Sequence, residues 1–81
     1  MNGVPSIDRV GPYTFYFYSS DGNEPPHVHV RRERATAKFW LGPVRLARSR
    51  RFSDHELREV ARVVEENQRE ILEAWNEHFG H

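Results

Sequence analysis

The 81-residue chain contains no cysteine, so neither a disulfide framework nor thiolate metal ligation is open to it. No apolar run approaches the roughly 18 residues of a membrane helix. The N-terminal MNGVPSIDRV also lacks a basic start followed by a greasy stretch, so the expectation is a cytoplasmic protein with no membrane partner. There is no glycine-rich phosphate loop, no carboxylate dyad and no nucleophile paired with a base. Ser19, Ser20, Ser49 and Ser53 read as turn and cap residues. Length limits the rest: 1–81 is one domain, and a chain this short buries only about 60% of its unfolded surface. With 37% hydrophobic residues it can fill one core layer and not two.

What the chain does have is charge, unevenly spread. The net charge is zero, yet residues 31–51 hold seven arginines and Lys38 against Glu33, a balance of +7. Residues 52–81 sum to −5 and the first thirty to −2. Such a split makes one basic and one acidic surface, which either offset each other in solvent or meet phosphates or an acidic partner.

Period-2 patterning dominates the first half. PYTFYFYSS is dense in aromatic and β-favouring residues and predicts a strand over about 12–19. SSDGNEPP is a loop punctuated by Asp-Gly and Pro-Pro. Strands are expected over about 27–33 and 35–41, joined by a tight turn near Glu33 and Arg34, with 44–47 a candidate short edge strand. At Ser53 the period changes. Ser53 and Glu56 form an S-x-x-E capping box. Leu57, Val60, Ala61, Val64, Ile71, Leu72, Trp75 and Phe79 then follow at helical spacing, and Gly80 stops the run. The stripe stays in phase and favours one helix over about 54–78, although Asn67 with Glu70 offers a break near 67. The expected fold is α+β: an antiparallel sheet of three to four strands packed against one long C-terminal helix.

Alternation sorts the strand residues into two faces. Phe15, Phe17, Val28, Val30, Ala37, Phe39 and Leu41 make an apolar seat for the helix. Tyr16, Tyr18, His27, His29, Arg31, Lys38 and Trp40 fall on the other face, which one helix cannot also cover. Ordinary cross-strand pairing accounts for such a face in part. Aromatics interleaved with cations also suit a protein interface or a single-stranded nucleic acid. Left open, the face predicts self-association or a protein partner anchored on Tyr16, Tyr18 and Trp40.

In EPPHVHV, His27 and His29 stand at i and i+2 of a strand and point the same way. They are candidate acid–base catalysts on RNA, with phosphate held by Arg31, Lys38 and the arm carrying Arg45, Arg48, Arg50 and Arg51. As metal ligands they lack an assigned third donor. Asp21, Glu24 and His55 are each available, and no spacing singles one out, so no metal and no cofactor are expected.

The segments GPYTFYFYSSDGNEPPHVHV, AKFWLGPVRLARSRRFS and ENQREILEAWNEHFG together resemble the bacterial family known as domain of unknown function 4160. Its pattern runs F-Y, then D-x-x-x-P-P-H-x-H, a strand, and a helix ending E-x-W, here Glu73 and Trp75. The resemblance implies a small prokaryotic protein, often encoded beside a small partner and associated with toxin–antitoxin modules; it brings no activity with it. The expected function is therefore an interaction module, one component of a toxin–antitoxin-like pair, that binds a protein partner or a second copy through the sheet face. The alternative is a small RNA-binding protein or metal-independent ribonuclease, and a metal-binding enzyme through the His-x-His pair is third.

Overall fold

A computed structural model describes residues 6–80. Five strands, β1 (Ser6–Val10), β2 (Tyr13–Tyr16), β3 (His27–Arg32), β4 (Ala35–Trp40) and β5 (Arg45–Arg50), pair antiparallel in sequence order. Two helices follow, α1 (Asp54–Glu66) and α2 (Gln68–Phe79), and a 3-10 turn occupies Ser19–Asn23 between β2 and β3. The architecture is α+β, as the period change at Ser53 requires. No helix is long and apolar enough to cross a membrane.

The sheet has one strand more than the upper expectation. β1 escapes sequence reading because SIDRV carries no apolar alternation; its backbone pairing with β2 makes it a strand. β5 extends to Arg50, beyond the expected 44–47, although every one of its residues is exposed. Its ladder with β4 holds it, through a bulge between Lys38 and Phe39. The turn at Glu33 and Arg34 forms as expected, with Glu33 at φ 55°.

One face of the sheet carries Tyr13, Phe15, Phe17, Val28, Val30, Ala37, Phe39 and Leu41, all buried against Val60, Val63, Val64, Ile71 and Trp75 of the helices. Each fully buried aromatic or branched side chain contributes roughly 1.5–3 kcal/mol. The helical stripe is not one helix. Asn67 sits at φ −111°, ψ 13°, ending α1 and starting α2. Its side-chain amide donates back to the Val63 carbonyl at 2.8 Å instead of capping α2. The stripe remains in phase because the interruption is one residue long.

The start of α1 follows the capping signal. Ser53 Oγ accepts from the Glu56 amide at 3.1 Å, and Glu56 Oε1 accepts from the Ser53 amide at 3.0 Å. Ser53→Ala is expected to cost about 1 kcal/mol, lowering the melting temperature by roughly 4–8 °C in a domain of this size. The Ser53 amide holds the Glu56 carboxyl below its usual range. A group depressed in the folded state contributes stability above its unfolded pKa and loses it as pH falls through the folded value. The difference in melting temperature between wild type and Glu56→Ala should therefore be full at pH 7 and shrink as the solution is taken below about pH 4, because the Ser53 amide that Glu56 accepts from is backbone. A gap unchanged down to pH 3 would show that Glu56 takes no part in the cap.

Candidate functional site

Cross-strand register builds the second face of the sheet in rows, because partners in an antiparallel pair project to the same side. Arg31, Thr36 and Arg50 form one row, and His29, Lys38 and Arg48 the next, with Tyr16 opposite His29 on β2. His27, Trp40 and Arg45 form the third. The residues assigned to this face by alternation are thus brought together, with Arg45, Arg48 and Arg50 added by β5. Arg51 is not. It takes φ 72° after the strand and lines a separate surface pocket with Arg32, Glu33, Arg34 and Glu56.

The face is not open as expected. Tyr16 retains 4% of its exposure, His27 0%, His29 6% and Lys38 6%, while Trp40 is half-buried and Tyr18, at 43%, is exposed. The cover is the chain's own β2–β3 connection. Asp21 is buried over the histidines, and its carboxylate also accepts from the Tyr18 amide at 2.7 Å, which closes the turn on itself. Gly22 fits the turn against α2: a Cβ there would lie 2.8 Å from Phe79 Cδ1. Glu24 reaches Lys38 Nζ at 2.7 Å, and that ammonium lies 4.5 Å from the centre of the Trp40 ring. Aromatic anchors for a partner are accordingly fewer than the sequence suggested.

Under the turn the polar groups converge. His29 Nε2 lies 3.0 Å from Asp21 Oδ2 and His27 Nε2 3.1 Å from Asp21 Oδ1. His27 Nδ1 lies 2.9 Å from the Pro25 carbonyl oxygen and 3.7 Å from Glu24 Oε1. The His27 ring packs against Trp40 at 5.5 Å and against Trp75 of α2 at 5.1 Å, so the helix layer also reaches it. His29 stacks on Tyr16 at 5.2 Å and meets Tyr18 edge-on at 4.7 Å.

Protonation states follow from these surroundings. Burial pushes Asp21 upward, but the Tyr18 amide that donates to its carboxylate, with His29 beside it, outweighs burial and holds the group below the usual carboxylate range. Burial lowers His29 further than Asp21 raises it, so its ring is neutral at pH 7. Burial, reinforced by Tyr18, pushes the Tyr16 phenol up to about 12, which removes it as a proton acceptor near neutrality. The hydrogen bond from Lys38 keeps Glu24 ionised.

Beside the cluster lies a pocket of about 190 Å³, lined by Tyr16, Tyr18, His29, Thr36, Ala37, Lys38, Arg48, Ser49 and Arg50. His29 belongs to both the cluster and the pocket; His27 touches no solvent. His55 is exposed at the start of α1, and the candidate metal-ligand group among the described residues is Asp21, His27 and His29 without it. Of the three third donors open in the sequence, the fold selects Asp21. The signal for it lay in the D-x-x-x-P-P-H-x-H spacing. No comparable signal announced the Glu24–Lys38 pair or the contact of Trp75 with His27, since both depend on how the turn and α2 fold back.

No curated protein and no solved structure matches the chain. One family model does, described as Domain of unknown function (DUF4160), over residues 13–76. That span includes β2, the turn with Asp21, both histidines, β5 and all but the end of α2. On that match, which takes in the whole candidate site, the chain belongs to the DUF4160 family.

Proposed function

We propose that the chain is a small bacterial, cytoplasmic interaction module that binds single-stranded RNA through the β3–β5 face, as the RNA-contacting member of a toxin–antitoxin-like pair. The observation that carries the RNA reading is the set of exposed arginines on that face. Arg31, Arg45, Arg48 and Arg50 share it, and none is ion-paired among the described residues. An arginine-rich edge strand also discourages strand-to-strand aggregation. A phosphate ligand is favoured because Arg48 and Arg50 line a pocket that Tyr18 borders with a half-exposed ring, the combination of backbone clamp and stacking surface used for single strands. The paired toxin–antitoxin setting rests on the family resemblance alone.

Binding is favoured over cleavage because His27 has no surface on which a substrate could rest. That leaves His29 as the imidazole facing the pocket. A protein partner is less well supported. The two large apolar side chains left exposed among the described residues, Tyr18 and Leu46, do not form one patch, since Leu46 is in register with Phe39 on the helix-facing side. Fluorescence polarisation of a labelled single-stranded RNA tests the reading. Affinity should fall with a log–log salt slope near −3 if four phosphates are contacted, at about −0.7 each. No binding at low salt would overturn it, and assembly with an acidic protein that persists at high salt would replace it.

A further inference from the structure

The geometry points to Asp21, His27 and His29 as a site for one divalent transition-metal ion of the zinc type, held by two imidazole nitrogens and a carboxylate oxygen. This is independent of the RNA reading. Ligand atoms of the three residues all lie within 4.8 Å of one another, and all three side chains are buried. An ion bound at 2.0–2.1 Å in tetrahedral geometry spaces its ligand atoms about 3.3 Å apart. The two nitrogen-to-carboxylate separations, 3.1 Å from His27 to Oδ1 and 3.0 Å from His29 to Oδ2, are close to that spacing, one to each oxygen of the carboxylate.

The second observation is the orientation of His27. Its Nδ1 faces the Pro25 carbonyl at 2.9 Å, and a carbonyl oxygen only accepts, so Nδ1 carries the hydrogen. In the neutral ring Nε2 then presents a lone pair to the cluster. That atom is fully buried and has no hydrogen-bond partner among the described residues, although Asp21 Oδ1 is 3.1 Å away. The short distance and the missing hydrogen bond describe one arrangement: the oxygen is near but off the axis along which an N–H would donate. Two acceptors held this close in a buried site repel unless a cation lies between them. An imidazole whose outer nitrogen donates to a backbone carbonyl while the inner one faces a carboxylate has the usual support of a metal ligand. A simple imidazolium–carboxylate pair would align Nε2–H with Oδ1, and it is not aligned.

The surroundings suit the ion. The nearest ammonium, Lys38, is neutralised by Glu24 at 2.7 Å. Trp40 and Trp75 pack on His27, while His29 borders the adjoining pocket. Three protein donors with one side toward a pocket leave a coordination position for water or a ligand atom, unlike the closed four-ligand sets of purely structural zinc. The donor set is one that zinc, cobalt, nickel and iron(II) all accept, so the ion is named by class.

The test uses the full chain, purified without a histidine tag and stripped with chelator. Zinc sulfate is expected to bind at one equivalent by calorimetry. At a hundredfold excess over the dissociation constant it should raise the melting temperature by on the order of 10 °C. Cobalt should give the visible absorption of a four- or five-coordinate ion. Asp21→Asn separates the site from a buried ion pair. Its amide can donate to the His27 Nε2 lone pair and its carbonyl oxygen can accept from His29, so the metal-free variant should melt within a few degrees of wild type while losing the zinc shift. His55→Ala should leave uptake unchanged. Wild type that takes up no zinc or cobalt at millimolar concentration would overturn the proposal. So would an Asp21→Asn variant that binds zinc as tightly as wild type, or one that unfolds without metal.

Discussion

Trp75→Ala is expected to cost about 3–5 kcal/mol, the range for deleting a large aromatic side chain from a packed core. Stability at 0.05–0.15 kcal/mol per residue gives a domain of this length roughly 4–12 kcal/mol in all, so the loss is a large fraction of the whole. The reason is position. Trp75 retains 6% exposure and its ring meets Phe17 at 5.3 Å, Phe79 at 4.3 Å and His27 at 5.1 Å. It therefore joins α2, the residue that follows β2 and the first residue of β3 in one contact set. Val63→Ala, a smaller deletion in the same core, removes only two methyl groups and should cost less than half as much. Denaturant melts of the two variants decide the matter. A Trp75→Ala midpoint within 1 kcal/mol of wild type would mean that α2 does not clamp the sheet.

That contact also marks the limit of what could be read from the sequence. Alternation identified the core side of β2, β3 and β4 residue by residue, because a half-buried strand has to separate apolar from polar positions. It missed β1 and reached only the first part of β5, whose residues are held by backbone ladders at the edges of the sheet and need no apolar set. It also hid the break at Asn67, since a one-residue interruption leaves the stripe in phase. Asn67 itself was the visible signal, and its side chain acts on Val63 rather than on α2.

The site was legible in its members and not in its cover. Strand geometry placed His27 and His29 on one face with Tyr16, Lys38 and Trp40. SSDGN announces a turn by its composition, but composition says where a chain reverses and not which surface it comes to lie on. The turn lies on the histidines because Asp21 finds the Tyr18 amide and two imidazoles there, and because Gly22 leaves room for Phe79. Apart from the Tyr18 amide, three positions away, those are contacts between residues six to fifty-seven positions apart, beyond any local pattern. Covering the aromatics changes the functional expectation, since a buried Tyr16 cannot anchor a partner and the exposed cations remain.

Removing those cations should have the second large effect. The triple variant Arg45→Ala, Arg48→Ala, Arg50→Ala is expected to weaken single-stranded RNA binding about 100-fold at 0.1 M salt. Each phosphate contact releases about 0.7 counterion equivalents, worth roughly fivefold at that concentration, and the three compound. The same substitutions should cut the salt slope by about 2. Folding should survive, because all of β5 is exposed and exposed substitutions seldom exceed about 0.5 kcal/mol each. Charge and geometry separate in a second variant with lysine at all three positions. Lysine keeps the point charge and loses the planar fork, so the salt slope should return nearly to wild type while some affinity stays lost. Arg51→Ala is the internal control, since that side chain lines a different pocket with Glu33 and Glu56 and should leave both slope and affinity unchanged. An alanine triple that binds as wild type does, or an Arg51→Ala variant that loses as much as the triple, would remove the β3–β5 face as the RNA surface.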